Sequence, residues 1–128
     1  MTMFANTRAF SGFAVGDLQA AQKFYGDVLG IATSENNGLM TLHLAGGRDT
    51  LVYPKPGHVP ADYTILNFPV DDIDSAVDEL TARGVTFERY EGVAQDSKGI
   101  NRGYGPDIAW FRDPAGNILA VLKEASPR

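Results

Sequence analysis

Val15-Gly-Asp-Leu-Gln-Ala-Ala-Gln-Lys-Phe-Tyr-Gly-Asp-Val-Leu-Gly30 reads as a strand end, a helix and a helix stop in one stretch. Asp17 precedes an apolar stripe of Leu18, Ala21, Phe24, Tyr25 and Val28 or Leu29 at helical spacing. Its carboxylate is placed to accept hydrogen bonds from the free N–H groups of the first turn. Gly30 suits the left-handed residue that ends a helix. The pattern returns at Val70-Asp-Asp-Ile73, with Asp72 or Asp71 as cap, a stripe of Ile73, Ala76, Val77 and Leu80, and Gly84 as the stop. The offset, 72 − 17 = 55 residues, is close to half of the 128-residue chain. A duplicated unit of this size predicts two halves around one shared cleft.

Around each helix the chain is strand-like. The first half predicts strands over 9–15, 31–34, 39–44 and 50–53, and the second over 63–70, 85–90, 108–111 and 117–122. Asn37-Gly38 is a two-residue hairpin signal, because a type I′ turn needs positive φ at both central residues. Gly46-Gly47 is a second turn, and Pro54 to Pro60 is a proline- and glycine-rich linker. Asp113-Pro-Ala-Gly-Asn117 specifies a tight turn. Residues 91–104 are polar and read as a loop or lid, with Gly99, Gly103 and Gly105 giving it the mobility a lid needs. The fold class is therefore α+β: one domain over 1–128, built from βαβββ units at 8–54 and 62–123 whose curved sheets enclose a cup.

Composition narrows the function. A net charge of −5 and a pI near 4.8, without basic runs, disfavour nucleic acid and anionic membranes as partners. The absence of cysteine excludes disulfides, thiolate catalysis and Cys-based zinc sites, and agrees with a cytoplasmic location. MTMFANTRAF has no charged-then-apolar signal pattern, and no run approaches the roughly 18 apolar residues of a spanning helix.

The chain resembles the vicinal oxygen chelate superfamily, which includes glyoxalase I, extradiol dioxygenases, fosfomycin-resistance enzymes and bleomycin-binding proteins. The likeness rests on Val15-Gly-Asp-Leu with Phe24-Tyr-Gly-Asp-Val-Leu-Gly30, on Val70-Asp-Asp-Ile with Leu80 and Gly84-Val85, and on Phe111-Arg-Asp-Pro-Ala-Gly-Asn117. The resemblance implies a metal site whose His, Glu or Gln ligands come from the first and last strands of each half. The positions matching those ligands are Phe10 and Ile65, seven residues before each cap, Ala120, four after the turn glycine, and Val52 by the overlay of 50–52 on 118–120. None offers the oxygen or imidazole donor that a divalent cation needs. No cofactor and no metal are expected. The resemblance also implies a homodimer.

Strand alternation predicts a cup lined by Phe10, Gly12 and Ala14 from the first strand, and by Ile65, Asn67 and Pro69 from its counterpart. Asn67 is the polar member, suited to orienting a ligand or to satisfying a neighbouring strand. His43 lies opposite Leu42 and Leu44 with no visible carboxylate partner, and reads as structural or as a ligand hydrogen-bond donor. Tyr104 and Trp110 are candidates for stacking on a planar ligand, or for core packing. No Ser-His-Asp order stands out. The ligand-pocket set is thus Phe10, Gly12, His43, Val52, Ile65, Asn67, Tyr104, Trp110 and Ala120, with no catalytic residue assigned. The leading expectation is a metal-free cup for a small apolar or aromatic molecule. The alternatives are a glyoxalase-type lyase or dioxygenase with displaced ligands, and a dimeric regulatory or scaffold module.

Overall fold

The computed structural model describes residues 3–103 and 105–124 and divides the chain into two compact units, Met1–His58 and Val59–Arg128. The fold is α+β, with one sheet in each unit.

In the first unit, strand β1 (Gly12–Val15) leads into helix α1 (Leu18–Gln22), then into strands β2 (Ala32–Asn36), β3 (Leu39–Leu44) and β4 (Arg48–Pro54). The sheet order is β1-β4-β3-β2, with β1 parallel to β4 and the rest antiparallel. Asp17 caps α1 by accepting from the N–H groups of Gln19 and Ala20, at 3.0 and 3.2 Å. Asn37 and Gly38 both take positive φ, 54° and 78°, as the hairpin between β2 and β3 requires.

Two local expectations shift. Strand β1 begins at Gly12 rather than at residue 9. Helix α1 widens into a π-helical stretch, Lys23–Val28, in which the Leu29 N–H reaches the Phe24 carbonyl at 2.9 Å. In this stretch Tyr25 is fully buried, whereas Phe24 is half-buried. The Tyr25 ring packs against Phe13 and, edge-on, against Phe24, with centroids 5.7 and 5.2 Å apart. The core under the helix is completed by Val15, Ala21, Met40, Leu42 and Val52.

In the second unit, β5 (Thr64–Val70) leads into α2 (Ile73–Ala82), and β6 (Ile108–Arg112) and β7 (Ile118–Lys123) follow. The sheet order is β5-β7-β6, with β5 parallel to β7 and β6 antiparallel to it. Asp72 caps α2, accepting from Ser75 through both its N–H and its hydroxyl. The core is Ile73 and Val77 from the helix with Ala109, Phe111, Leu119 and Val121 from the sheet.

The strand expected over 85–90 is reduced to one bridge, Phe87 to Phe111. The Glu88 N–H still donates to the Trp110 carbonyl of β6, at 2.7 Å, but neighbouring backbone groups are satisfied elsewhere. The Gln95 side chain accepts from the Tyr90 N–H and donates to the Glu88 and Gly99 carbonyls, all within 2.9 Å, where a fourth strand would need a ladder. The segment after it is fastened as well. Asp96 accepts from the N–H groups of Lys98 and Ile100 and from Arg102, and Ile100 is buried. Arg102 also reaches Asp74 and Asp107. The described part of the loop is thus tied to helix α2 and to the start of β6, in contrast to the mobile lid its glycines suggested.

Candidate functional site

Each sheet has one face under its helix and one face away from it. In the second unit, Asn67 of β5 pairs with Ala120 of β7, and Ala120 pairs with Trp110 of β6. Alternation places these three in one row across the sheet, on the face opposite Leu119, Val121, Ala109 and Phe111. Three residues expected at a ligand site are therefore neighbours. Asn67 is exposed, Trp110 half-buried, and Ala120 fully covered between them.

The Trp110 row continues into the segment that replaces the fourth strand. The Tyr90 ring meets Trp110 at 5.4 Å and 70°, edge to face. The Tyr90 hydroxyl is buried and has no hydrogen-bond partner among the described residues. Burial holds its phenol above the ordinary 10.0, with Glu88 pushing the same way and Arg112 opposing. The hydroxyl is therefore neutral and able to donate near pH 7. Arg112 is engaged by Glu88 at 2.9 Å, which raises its pKa, and it also donates to the Gly116 carbonyl.

Ile65 joins this row less directly. The register slips between Thr64 and Leu66, so Ile65 occupies a bulge and has no paired position. Tyr104 lies outside the described residues.

In the first unit, Gly12 stands opposite Leu51. A β-carbon added at Gly12 would come within 3.3 Å of the Leu51 Cβ and 3.1 Å of its carbonyl oxygen, so only glycine fits there without displacement. Gly12 and Asn67 each lie five residues before their cap (17 − 12 and 72 − 67). Leu51 is therefore the counterpart of Ala120. This corrects the overlay that assigned Val52. Val52 pairs with Phe13 and Met40 on the helix-facing side and is fully buried in the core. Phe10 precedes β1, is 70% exposed, and lines a recess of about 510 Å³ with Arg8, Ser11, Arg48, Asp49 and Thr50.

His43 lies on the face away from the helix, with Leu51 and Gly12, and opposite Asp49 in register. Its Nδ1 is 3.2 Å from Asp49 Oδ1, and its Nε2 is 2.8 Å from Ser34 Oγ. Sequence reading assigned no carboxylate to His43. The signal lay in two turns: Gly46-Gly47, between β3 and β4, sets Asp49 opposite His43, and Asn37-Gly38 sets Ser34 opposite Thr41 and so diagonal to His43.

A divalent metal does not fit the positions that would hold one. Phe10, Ile65, Ala120 and the corrected Leu51 carry no donor atom on their side chains. No group of three or more His, Asp or Glu side chains among the described residues is arranged to hold a metal ion.

The sequence model of the glyoxalase/bleomycin resistance protein/dioxygenase superfamily matches residues 8–121. Solved structures agree with it. A superfamily member from Sphaerobacter thermophilus DSM 20745 is 24% identical, with a TM-score of 0.67 over 92% of this chain and 98% of that one. TnmS3, an antibiotic-binding protein from Streptomyces sp. CB03234, is 19% identical, with a TM-score of 0.64 over 94% and 98%. The fosfomycin resistance protein FosX from Mesorhizobium loti is 13% identical, with a TM-score of 0.66 over 95% of each chain. At these identities the structures establish the fold. No curated protein matches the chain.

Proposed function

The chain belongs to the glyoxalase/bleomycin resistance protein/dioxygenase superfamily, and on that premise we propose that it binds a small planar, apolar or aromatic molecule without a metal. The observation that carries this reading is the row Asn67, Ala120, Trp110 on the face of the second sheet away from its helix, flanked by Tyr90. Trp110 offers an aromatic surface, and Asn67 and the unpaired Tyr90 hydroxyl offer two polar handles, with Ala120 covered between Asn67 and Trp110. A few polar groups amid apolar surface is the usual chemistry of a small-molecule site. Similarity in fold to an antibiotic-binding protein supports the class of function, not the ligand. The protein acts as a homodimer in the cytoplasm, with no resident cofactor. Among the described residues no helix is long and apolar enough to cross a membrane.

Isothermal titration with 2-acetylnaphthalene, a planar aromatic bearing one acceptor, tests the reading. Saturable one-to-one binding is expected, weakened about 10-fold by Trp110→Ala, the order of one lost aromatic contact of about 1.5 kcal/mol. Binding indifferent to Trp110→Ala would move the site off this sheet. One tightly held Ni, Zn, Fe or Mn ion per chain in the purified protein would overturn the metal-free part.

A further inference from the structure

Ser34, His43 and Asp49 lie on three adjacent strands, β2, β3 and β4, and form one chain of hydrogen bonds. Asp49 sits directly opposite His43, and Ser34 is diagonal to it on the same face. The carboxylate can only accept, so in the neutral imidazole the Nδ1 carries the proton and donates to Asp49 Oδ1 across 3.2 Å. Nε2 is then left with a lone pair, and the Ser34 hydroxyl must donate to it across 2.8 Å. This is the order of roles in a serine nucleophile, its general base and the acid that orients the base. Fold and sequence spacing do not matter to such a group; geometry does.

Position supports the same chemistry. Strand β2 is an edge of its sheet, and Ser34 is exposed, so a substrate can reach Oγ. The two-residue turn closes on the Asn36–Leu39 pair. The alternation of an antiparallel ladder then turns the N–H of Glu35, the residue after the serine, off the sheet edge rather than into the ladder. That N–H is a donor for an oxyanion formed at Ser34. On the same face lie Leu39 and Tyr53, 42% and 38% exposed, which offer apolar surface to an acyl or aryl group.

We propose that Ser34, His43 and Asp49 form a serine-nucleophile site that cleaves carboxylic esters with apolar or aryl groups. Ser34 Oγ attacks the ester carbonyl carbon while His43 Nε2 takes the hydroxyl proton. The tetrahedral oxyanion collapses, the bond to the leaving oxygen breaks, and that oxygen departs with the proton from His43. Water, deprotonated by His43, attacks the acyl-serine and releases the carboxylic acid, and the proton returns to Ser34. No metal, oxidant or cofactor enters. The site lies on the first sheet and the Trp110 row on the second, and the proposal stands or falls separately from the binding function proposed above.

The test uses the full chain with p-nitrophenyl acetate, and intact-mass and peptide mapping after diisopropyl fluorophosphate. Release of p-nitrophenolate is expected, with one phosphoryl adduct mapped to Ser34. Ser34→Ala and His43→Ala should each lower the turnover rate by about 100-fold, the lower end of what a positioned base contributes. Asp49→Asn should lower it while leaving Ser34 present but slower to label. All three side chains are at the surface, so circular dichroism of the variants should match the parent. Turnover unchanged in Ser34→Ala, or an adduct on lysine or tyrosine in place of Ser34, would overturn the proposal.

Discussion

The Tyr90 ring stands edge-on to Trp110, 5.4 Å between centroids, with its hydroxyl buried and unpaired among the described residues. A buried donor without a partner costs about 1–3 kcal/mol, and a ligand acceptor would relieve that cost. Tyr90→Phe should therefore stabilise the free protein slightly while removing the preference for an acceptor. We expect 2-acetylnaphthalene to bind the parent 2- to 10-fold tighter than 2-ethylnaphthalene, about 0.5–1.5 kcal/mol for one neutral hydrogen bond. The two should bind Tyr90→Phe alike. Equal affinities in the parent would mean that the hydroxyl does not meet the ligand.

Tyr25 is the aromatic anchor of the first unit. It is fully buried and touches Phe13 and Phe24, whereas Phe24 is half-buried. Tyr25→Ala should cost about 3–5 kcal/mol in urea unfolding, the range for truncating a buried aromatic. Phe24→Ala should cost less. A reversed order would place Phe24, not Tyr25, in the core.

What was legible in the sequence was local. Asp17, Asp72, Asn37-Gly38 and Gly30 each act through neighbours a few residues away, and each does what its type and spacing imply. The Asn67, Ala120 and Trp110 row was approached through strand alternation, which holds within a regular strand. Alternation failed where the strand was irregular or differently bounded. Phe10 precedes β1, Ile65 falls in a bulge, and Val52 was off by one because β4 carries no marker comparable to the Asp113 turn of β7. The strand over 85–90 was lost to one side chain, Gln95, whose contacts span up to seven residues. Ser34 with His43 and Asp49 was invisible because it is assembled by pairing across three strands, although the turn at Asn37-Gly38 already fixed half of it.

The Asp113 turn holds the start of β7. Its carboxylate is buried and accepts from the N–H groups of Ala115 and Asn117 and from the Asn117 side-chain amide, each at 2.9 Å. Asp113→Ala would leave those donors without this acceptor, and a hydrogen bond to a charged group is worth about 1.5–3 kcal/mol. A loss of at least about 2 kcal/mol in urea unfolding is expected. Asp113→Asn, which keeps one acceptor oxygen, should lose less. A neutral Asp113→Ala would mean that the Pro114-to-Asn117 backbone holds the turn unaided.

Acid should weaken the second unit through Asp72 and Asp96. The Ser75 N–H and hydroxyl hold the Asp72 carboxyl below its ordinary 3.8. At Asp96 desolvation pushes upward, but the Ile100 N–H, Arg102 and the Lys98 N–H outweigh it, and the carboxyl is again lowered. A carboxyl lowered by folding stabilises the native state above its unfolded pKa. That contribution is lost as pH falls through the folded value, so the window lies below about pH 4. The urea midpoint should fall between pH 5 and pH 3, measured at constant ionic strength. Asp96→Asn should have a lower midpoint at pH 7 and a shallower fall on acidification. An unchanged slope in Asp96→Asn would remove Asp96 from the pH dependence.

Assembly can be argued from the sheet edges. Strands β1 and β2 bound the first sheet, and β5 and β6 bound the second. An open strand edge presents unpaired N–H and C=O groups, which natural proteins cover, shorten or pair. Strand β1, of four residues, is short, and β5 carries Pro69, which blunts an edge by removing a donor. Strand β2 has neither device. Its five residues include Thr33, Ser34 and Glu35, which place no proline on the edge. A twofold dimer is the commonest way for a soluble chain to pair a surface with itself. We expect a particle of about 28 kDa, twice the 13.8 kDa chain, by light scattering at micromolar concentration. Pairing of β2 with its symmetry mate would engage the Glu35 N–H and so exclude it as an oxyanion donor at Ser34; in that arrangement Glu35→Pro, which removes the N–H, should shift the particle toward the single-chain mass without unfolding it. A parent protein that scatters as one chain at these concentrations would remove the dimer altogether.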